Sequence, residues 1–311
     1  MLLQLLLFIL LIGLFIFGMT ILRTGLFNLS GSSIHKVLTI LTYTPWKGML
    51  TAIILTAVLQ SSSALMIMTI GLVSARLLTF PQSIGIILGT NIGTTFTTEL
   101  ITFNIESLLI PFALIGASAA LFPQKAVKSA GFAFLGISAV FAAMRGFEFL
   151  AISLKENSYV TDILLTLDDH HLYSIFAGIV LTAVIQSSTA ATGIVMGFMS
   201  AGLMDLDTGI AIMLGSNIGT CADAYLASIG AGRAAKLTAF AHIWLNCVGV
   251  ALFYPFISML ASAGEVLSSS LDTQLAHISV LFNVITSLLV LPFAHQFASF
   301  IEKLHGGKPV N

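Results

Sequence analysis

Hydrophobic positions in this chain fall into long runs separated by short polar segments. The runs cover residues 2–22, 48–75, 80–103, 106–122, 129–152, 173–203, 207–230, 235–260 and 275–300. Most reach the length of about 20 residues that a helix needs to cross the hydrocarbon core of a bilayer. Because backbone polar groups in lipid must bond within their own segment, and the alternation of a barrel strand is absent, the runs predict helices. The predicted fold class is therefore an all-α integral membrane protein.

The composition supports a membrane protein and excludes several other classes. Of the 311 residues, 57% are hydrophobic and 8% are charged, and the mean hydropathy is +1.04. Soluble domains carry about 25% charged residues, so the charges here are too few to cover a soluble enzyme. The net charge of −1 leaves no basic excess for nucleic acid. Cys221 and Cys247 lie in apolar runs, which predicts two buried thiols rather than disulfides or metal ligands.

Basic residues set the predicted orientation, because the cytoplasmic loops of membrane proteins are enriched in Lys and Arg. The clusters placed inside are Arg23 with Lys36 and Lys47, Lys125 with Lys128, Arg233 with Lys236, and Lys303 with Lys308. The first run lacks the basic start and cleavage site of a signal peptide, so it is predicted to be a transmembrane helix. The chain is expected to be a multi-pass protein of the plasma (inner) membrane, with its N-terminus outside and its C-terminus in the cytoplasm.

Two of the runs have both ends on one side of the membrane in this arrangement. Run 48–75 lies between Lys47 and Arg76, so both of its ends are inside. Run 173–203 lies between Asp169 and Asp205, in loops that are placed outside. A single crossing would put the two ends on opposite sides. Each run is therefore predicted to be a re-entrant hairpin of two short helices.

A duplicated sequence relates the two hairpins. Leu55–Ala64 recurs as Leu181–Ala190, and Gly89–Thr94 recurs as Gly215–Thr220, both at an offset of 126 residues. Because the first copy starts inside and the second outside, we expect two inverted-topology repeats, an arrangement typical of secondary transporters. The first repeat is assigned to residues 1–128, with hairpin 48–75 and an interrupted helix at 80–103. The second is assigned to residues 129–303, with hairpin 173–203, an interrupted helix at 207–230 and a final transmembrane helix at 275–300.

The centre of each hairpin carries a polar run, Gln60, Ser61, Ser62 and Ser63 in the first and Gln186, Ser187, Ser188 and Thr189 in the second. If the helix breaks there, the second half-helix presents free backbone N–H groups and the positive end of its dipole. With the hydroxyl and amide donors, these groups would bind an oxyanion in a neutral cradle, without lysine or arginine. The carbonyls freed at the end of the first half-helix suit a sodium ion. The alternative is that these small residues only allow close helix packing.

The second repeated motif supplies further candidate ligands. Asn91 and Asn217 offer side-chain oxygens, and hydroxyls come from Thr94, Thr95 and Thr220. The two glycines of each motif would weaken its helix, which predicts the interruption. The alternative is a glycine packing groove in which the asparagine links neighbouring helices. Asp223 is a carboxylate within a transmembrane segment, so we expect it to take part in sodium or proton coupling.

Together the motifs define the predicted binding site. The substrate- and ion-binding residues are Gln60, Ser61, Ser62, Ser63, Asn91, Thr94, Thr95, Gln186, Ser187, Ser188, Thr189, Asn217, Thr220 and Asp223. The sodium ligands predicted among them are Ser62, Ser63, Asn91, Thr94, Ser188, Thr189, Asn217 and Thr220. Sodium is expected only as a coupling ion, with no cofactor. Outside the motifs, His242 and His277 are predicted to bond neighbouring helices, and Arg145 with Glu148 to form a local ion pair.

At these residues the chain resembles the type II sodium-dependent phosphate cotransporters, in their short bacterial form. That family carries a QSSS motif in each of two inverted repeats, followed by a motif of the G-x-N-I-G-T-T type, and the resemblance covers about residues 5–300. It implies an inorganic phosphate site between the hairpin tips, sodium ions beside it and an elevator-like motion. Thr189 replaces the last serine, and Cys221, Ala222 and Asp223 stand where the family usually has more threonine, which bears on the sodium count.

The predicted function is sodium-coupled symport of inorganic phosphate, and an enzyme is not expected. The alternatives are symport of another small anion, such as sulfate or arsenate, and proton coupling through Asp223. A remote alternative is an intramembrane serine hydrolase that uses Ser62 or Ser188 with His242 or His277, although the chain has no G-x-S-x-G nucleophile motif. The expected partners are phosphate, sodium and the lipid bilayer, without nucleic acid, and a homodimer is left open.

Overall fold

The fold is built from α-helices. The structure, a computed structural model, describes residues 2–30 and 34–306, and no strand occurs among them. Within this part of the chain, five helices are long and apolar enough to cross a membrane, over Leu2–Leu29, Lys125–Leu154, Leu206–Ser228, Arg233–Leu267 and Leu271–His305. The predicted all-α membrane fold is confirmed. Lys308 of the predicted basic tail lies outside the described residues.

The described residues of the first half of the chain form six α-helices, two of which are the arms of the first hairpin. They are α1 (Leu2–Ser30), α2 (Ile34–Leu41), α3 (Pro45–Leu59), α4 (Ser62–Ser74), α5 (Phe80–Leu100) and α6 (Leu109–Ala120). A short 3-10 turn, Glu106–Leu108, precedes α6. Helices α3 and α4 are the two arms of the hairpin that was predicted over residues 48–75.

The second half repeats this order. It comprises α7 (Lys125–Leu154), α8 (Ser158–Asp169), α9 (His171–Ile185), α10 (Ser188–Ser200), α11 (Leu206–Gly219), α12 (Cys221–Ser228) and α13 (Arg233–Phe253). Helices α9 and α10 begin and end 126 residues after α3 and α4, the same offset as between the repeated motifs. The three remaining helices, α14 (Ile257–Leu267), α15 (Leu271–Val290) and α16 (Ala294–His305), follow breaks at prolines or a loop.

Helices α1 and α7 occupy equivalent places in the two halves and pack against each other in opposite directions. Gln4 near the start of α1 donates to the carbonyl of Ser153 near the end of α7, at 3.0 Å. Gly18 lies against the backbone of Val140, and Gly25 near the end of α1 lies against Ser129 near the start of α7. The contacts therefore run in reverse order along the two sequences, which makes the pair antiparallel.

Two predicted helix features are wrong. Helix α5 is continuous from Phe80 to Leu100, so the first repeat has no interrupted helix at 80–103. The second repeat does have a break, at Thr220 between α11 and α12. Helix α1 continues to Ser30, so Arg23 lies within it and not in a flanking loop.

Close packing explains why the glycines of α5 do not interrupt it. A Cβ added to Gly89 would collide with the backbone of Met49, and one added to Gly93 would lie 2.5 Å from the Cβ of Thr56. Gly215 of α11 makes the equivalent close approach to Ile175 of α9. Small residues let backbones approach where lipid gives no hydrophobic drive for association. The glycines of the second motif therefore form the packing groove, and each hairpin is held against the helix that follows it.

Charged residues separate toward two ends of the molecule. Ser74 at the end of α4 donates to the carbonyl of Ala231, at 2.6 Å, in the turn that precedes Arg233. At the other end, a cavity is lined by Arg145 together with Glu106, Glu148 and Asp272. Arg145 pairs with Glu106 and, at 2.5 Å, with Glu148, so the predicted local pair on α7 is confirmed.

Candidate functional site

The first hairpin breaks at its QSSS motif. Helix α3 ends at Gln60, which adopts a left-handed conformation with φ 53° and ψ 31°. Ser61 is then extended, and its side chain accepts from the N–H of Ala64 at 3.2 Å, which caps α4. A left-handed residue stops a helix and a serine N-cap starts the next one. The backbone N–H groups of Ser62 and Ser63, at the start of α4, are left out of this cap and are free to bind an anion.

The second hairpin repeats this geometry closely. Gln186 ends α9 with φ 56° and ψ 33°, and Ser187 caps α10 by accepting from the N–H of Ala190 at 3.2 Å. The N–H groups of Gln60 and Gln186 each donate to a threonine carbonyl one turn earlier, at 2.7 Å. The repeated sequence therefore produces a repeated break, and the predicted pair of half-helix tips is present.

Both tips face one small cavity. It is lined by Gln60, Ser61, Ser62, Ser63, Thr94, Gln186, Ser187, Ser188, Thr189 and Thr220, all of them predicted site residues, and by Arg23 and Thr97. Residues more than 120 positions apart in sequence thus share one polar site. The N-terminal ends of α4 and α10 both contribute to it, so two positive helix dipole ends act on whatever occupies the cavity.

Arg23 changes the predicted electrostatics of the tips. Its Nε donates to the carbonyl of Gln60 at 2.7 Å, and its side chain lines the cavity. The expectation of a neutral cradle without arginine is therefore wrong, because α1 passes the first tip and presents a cation there. The same bond occupies the Gln60 carbonyl, which was expected to be available to sodium.

The two threonines of the second motif present lone pairs to the cavity. Thr94 donates its hydroxyl proton to the carbonyl of Thr90 at 2.8 Å, and Thr220 donates to the carbonyl of Ser216 at 2.9 Å. A hydroxyl has one proton to give, so both oxygens can act toward the cavity only as acceptors. Acceptor oxygens suit a cation rather than an anion.

The side chain of Gln60 also offers an acceptor oxygen rather than a donor. Its Nε2 donates to the carbonyl of Ala57 at 2.5 Å, and its Oε1 is buried without a hydrogen-bond partner among the described residues. Gln60 is only 7% exposed, whereas its counterpart Gln186 is exposed. The two tips share a backbone geometry, but neighbouring helices bury the glutamine of the first tip more than that of the second.

Asp223 reaches the first tip through one serine. The hydroxyl of Ser63 donates to the carboxylate of Asp223, which joins α4 to α12. Asp223 is not among the residues that line the cavity, but it lies close enough to Arg23 for their charges to interact. The predicted coupling residue is therefore one hydroxyl away from the cavity.

Three other predicted site residues lie outside the cavity lining. Asn91 donates to Asn246 at 3.1 Å and lies 3.3 Å from the ring of His242, which makes it a link between α5 and α13. Asn217 donates to the carbonyl of Met213 at 2.9 Å, and Thr95 is buried and donates to Ile92. This arrangement supports the alternative interpretation of Asn91 and does not support its predicted role as a sodium ligand.

Two cavity residues, Arg23 and Thr97, were not predicted. Thr97 lies 126 positions before Asp223, so the repeat offset itself marks it as the counterpart of a predicted residue. Arg23 lies outside both repeated motifs and entered the sequence analysis only as part of a basic cluster. Its role comes from the packing of α1 beside the first tip.

The histidines offered for a serine hydrolase are engaged elsewhere. His242 pairs with Asn91, and the Nδ1 of His277 lies 2.8 Å from the carboxylate of Glu99 on α5. Neither histidine is among the described residues that line the cavity with Ser62 and Ser188. These contacts give a hydrolase no base beside its nucleophile, and both histidines instead bond between helices.

Comparison with known proteins identifies the family. The sequence model of the Na+/Pi-cotransporter family matches residues 14–148 and again residues 152–287. Two successive matches to one family agree with the duplicated helices and hairpins. The comparison with solved structures gives no significant match.

Several curated relatives extend over most of the chain. "Uncharacterized protein YqeW" of Bacillus subtilis is 40% identical over 93% of this chain and 94% of its own length. "Putative inorganic phosphate export protein YjbB" of Escherichia coli is 24% identical over 96% of this chain, which spans only 55% of that protein. Over a much shorter stretch, 26% of this chain and 14% of its own length, human "Sodium-dependent phosphate transport protein 2C" is 35% identical. The chain therefore belongs to the Na+/Pi-cotransporter family of membrane proteins, which transport phosphate across the bilayer.

Proposed function

We propose that this chain is a sodium-coupled symporter of inorganic phosphate. The observation that carries the proposal is the single cavity in which the QSSS tip of α3–α4 meets the QSST tip of α9–α10. The name of the human relative supports sodium as the coupling ion. The expected partners are phosphate, sodium and the surrounding lipid.

The phosphate would be bound by the amino-terminal ends of α4 and α10 and by Arg23. Backbone N–H groups at two helix starts provide several fixed donors, and the guanidinium of Arg23 adds a charge-assisted donor. The hydroxyls of Ser62 and Ser188 complete the set. A site with one arginine and many neutral donors binds a dianion without holding it so tightly that release is blocked.

Sodium would be bound by the acceptor oxygens at the sides of the cavity. Thr94 and Thr220 offer lone pairs from equivalent positions, and Gln60 offers a buried carbonyl oxygen that has no hydrogen-bond partner in the described part of the chain. Ser63 would connect a bound sodium to the charge of Asp223. A cation there would attract the phosphate beside it, which gives a physical basis for co-transport.

The two halves are proposed to be inverted repeats that exchange access between the two sides of the membrane. The antiparallel packing of α1 with α7 supports inversion, because equivalent helices of copies with the same topology would run in the same direction. An elevator-like motion would carry the two tips together with α5 and α11, against which the hairpins are tightly packed.

Uptake of labelled phosphate into proteoliposomes tests the proposal. We expect uptake that requires a sodium gradient, that falls to background with Gln60→Ala or Gln186→Ala, and that is retained by Gln124→Ala, an exposed glutamine at the start of α7. Sodium-independent uptake would refute the coupling. Failure of all phosphate uptake by folded protein in liposomes would refute the substrate.

A second set of assays separates the alternatives in substrate and coupling ion. Competition by sulfate and arsenate at increasing concentration would reveal another preferred anion. Asp223→Asn keeps a hydrogen-bond acceptor for Ser63 but removes the carboxylate charge. If sodium is the coupling ion, phosphate uptake by this variant should depend less on the sodium gradient, and a proton gradient should drive no uptake. A proton gradient that drives uptake in the native chain, and fails to do so in Asp223→Asn, would establish proton coupling instead.

Export is a second candidate direction. Escherichia coli YjbB carries the word export in its name and matches 96% of this chain. Coupled transport is reversible, so the direction depends on the sodium and phosphate gradients rather than on the binding site. Proteoliposomes loaded with phosphate and given sodium on the inside would release phosphate if the cycle runs in this direction.

A further inference from the structure

Another cavity lies at the start of α13, at the opposite end of that helix from its proline break and away from the hairpin tips. It is lined by the turn at Gly230 and Gly232, by Arg233, Lys236 and Phe240 of α13, and by His305 of α16. None of these residues lines the cavity between the tips. The two cavities are therefore distinct places in the fold.

The lining of this cavity favours an anion. Three basic side chains and no acidic one are found among the described residues that form it. The cavity also lies at the start of α13, where Gly232 has no side chain with which to cap the helix. The first backbone N–H groups of α13 therefore add their dipole to the charges of Arg233 and Lys236.

His305 is held in place by two aromatic neighbours. The indole N–H of Trp244 donates to its Nε2 at 2.8 Å, and its ring stacks on Phe240 with 4.1 Å between centroids and 7° between planes. Because Nε2 accepts a hydrogen bond, the proton of the neutral ring is on Nδ1. The Nδ1–H of His305 is therefore a hydrogen-bond donor held in a fixed position. Trp244 directly contacts this residue of the cavity lining.

We propose that this cavity binds a phosphate group through Arg233, Lys236, His305 and the start of α13. The phosphate group comes either from an anionic phospholipid at the membrane surface or from free inorganic phosphate. The cavity lies at the end of the molecule where basic residues gather, and basic pockets between helices at that surface bind anionic lipid head groups. Free phosphate offers the same oxygens to the same donors.

Trp244 reports on occupancy of the cavity. The chain has two tryptophans, so Trp46→Phe leaves Trp244 as the single source of indole emission. In phosphatidylcholine nanodiscs, inorganic phosphate is titrated against this protein. In a second arm without added phosphate, phosphatidylglycerol replaces part of the phosphatidylcholine. A saturable change in the first arm assigns free phosphate, and a change in the second assigns the lipid.

Matched charge variants identify the site of the response. In the Trp46→Phe background, the double variant Arg233→Gln with Lys236→Gln should raise the Kd obtained from the emission titration by about tenfold or more, because two charged donors are lost. Lys125→Gln with Lys128→Gln removes the same charge from α7 and should leave it unchanged. Gln60→Ala should also leave it unchanged, which separates this site from the tips. An emission that responds in neither arm, or equally in the Arg233 and Lys236 variant, would overturn the proposal.

Discussion

The charge on Arg23 is the residue-level feature that most changes the chemistry of the tips. The side chain comes from α1, lines the cavity and donates to the last carbonyl of α3. It thereby fixes the backbone of Gln60 at the break and places a cation beside the start of α4. One residue thus both braces the first tip and adds a positive charge to it.

Arg23→Gln should raise the phosphate KM of uptake by about tenfold or more. The substitution removes the charge and the Nε donor, and a hydrogen bond to a charged group is worth roughly 1.5–3 kcal/mol. Arg76→Gln removes an arginine from the loop after α4, outside the cavity, and should leave KM unchanged. Sodium-dependent uptake measured over a range of phosphate concentrations compares the two, and an unchanged KM for Arg23→Gln would exclude Arg23 from the phosphate site.

Asp168 at the end of α8 should make stability depend on pH. Burial raises the pKa of Asp168 above the ordinary value and, together with the carboxylates of Asp205 and Asp169, outweighs the lowering by Thr208 and His171. The folded state then holds the proton more tightly than the unfolded chain, so stability falls as pH rises through the window between the two pKa values. Asp168→Asn should therefore raise the thermal midpoint at neutral pH and change it little at acidic pH.

Thermal unfolding of nanodisc-reconstituted protein at both pH values measures this effect. Asp162→Asn, at an exposed position of the same helix, is the control and should leave the pH dependence intact. A midpoint for Asp168→Asn that keeps the pH dependence of the native chain would show that another group is responsible.

At the scale of helices, the two motifs have different structural roles. The QSS motifs break their helices, because glutamine takes the left-handed conformation and serine caps the next helix. The G-x-N-I-G-T motifs instead pack against the hairpins, and α5 remains continuous through its copy. The polar half of each second motif still reaches the cavity, at Thr94 and Thr220.

Gly89→Ala should destabilise the protein or prevent its folding. An added Cβ would collide with the carbonyl oxygen of Met49, so α3 and α5 would have to separate. Gly71→Ala, in the last turn of α4 where a Cβ meets nothing within 4 Å, should be tolerated and should gain up to about 1 kcal/mol of helix propensity. The yield of monodisperse protein and its thermal midpoint distinguish the two. Equal behaviour of both variants would contradict the close packing of α3 on α5.

At the scale of the whole molecule, the shared cavity depends on how the two halves face each other. Helices α1 and α7 are equivalent in the repeat and pack in opposite directions along their length. An arrangement of this kind is what the proposed inverted repeats require, and within it the two tips share one cavity. It also gathers Arg233 and Lys236 at one end of the molecule and Glu106, Glu148 and Asp272 at the other.

Labelling of single cysteines tests the inversion. Tyr43 before α3 and His170 before α9 are both exposed, so Tyr43→Cys and His170→Cys should each react with a maleimide in a chain that lacks Cys221 and Cys247. An impermeant maleimide added to intact cells should modify His170→Cys alone, and Tyr43→Cys should react only after lysis. Modification of both in intact cells would mean that the two hairpins enter from the same face.

Sequence alone determined the features that depend on local chemistry and on the bilayer. Run lengths fixed the all-α membrane fold, and the repeated Gln-Ser pairs fixed where both hairpins break, because these are properties of a segment and its solvent. The tertiary structure alone decided which side chains share a cavity. Arg23 lies at the first tip and Asn91 bonds to a neighbouring helix because helix packing brings together residues that are distant in sequence. The continuity of α5 through its glycines was also decided by tertiary structure. These glycines lower the helix propensity of α5, but the close packing on α3 that they permit outweighs that loss.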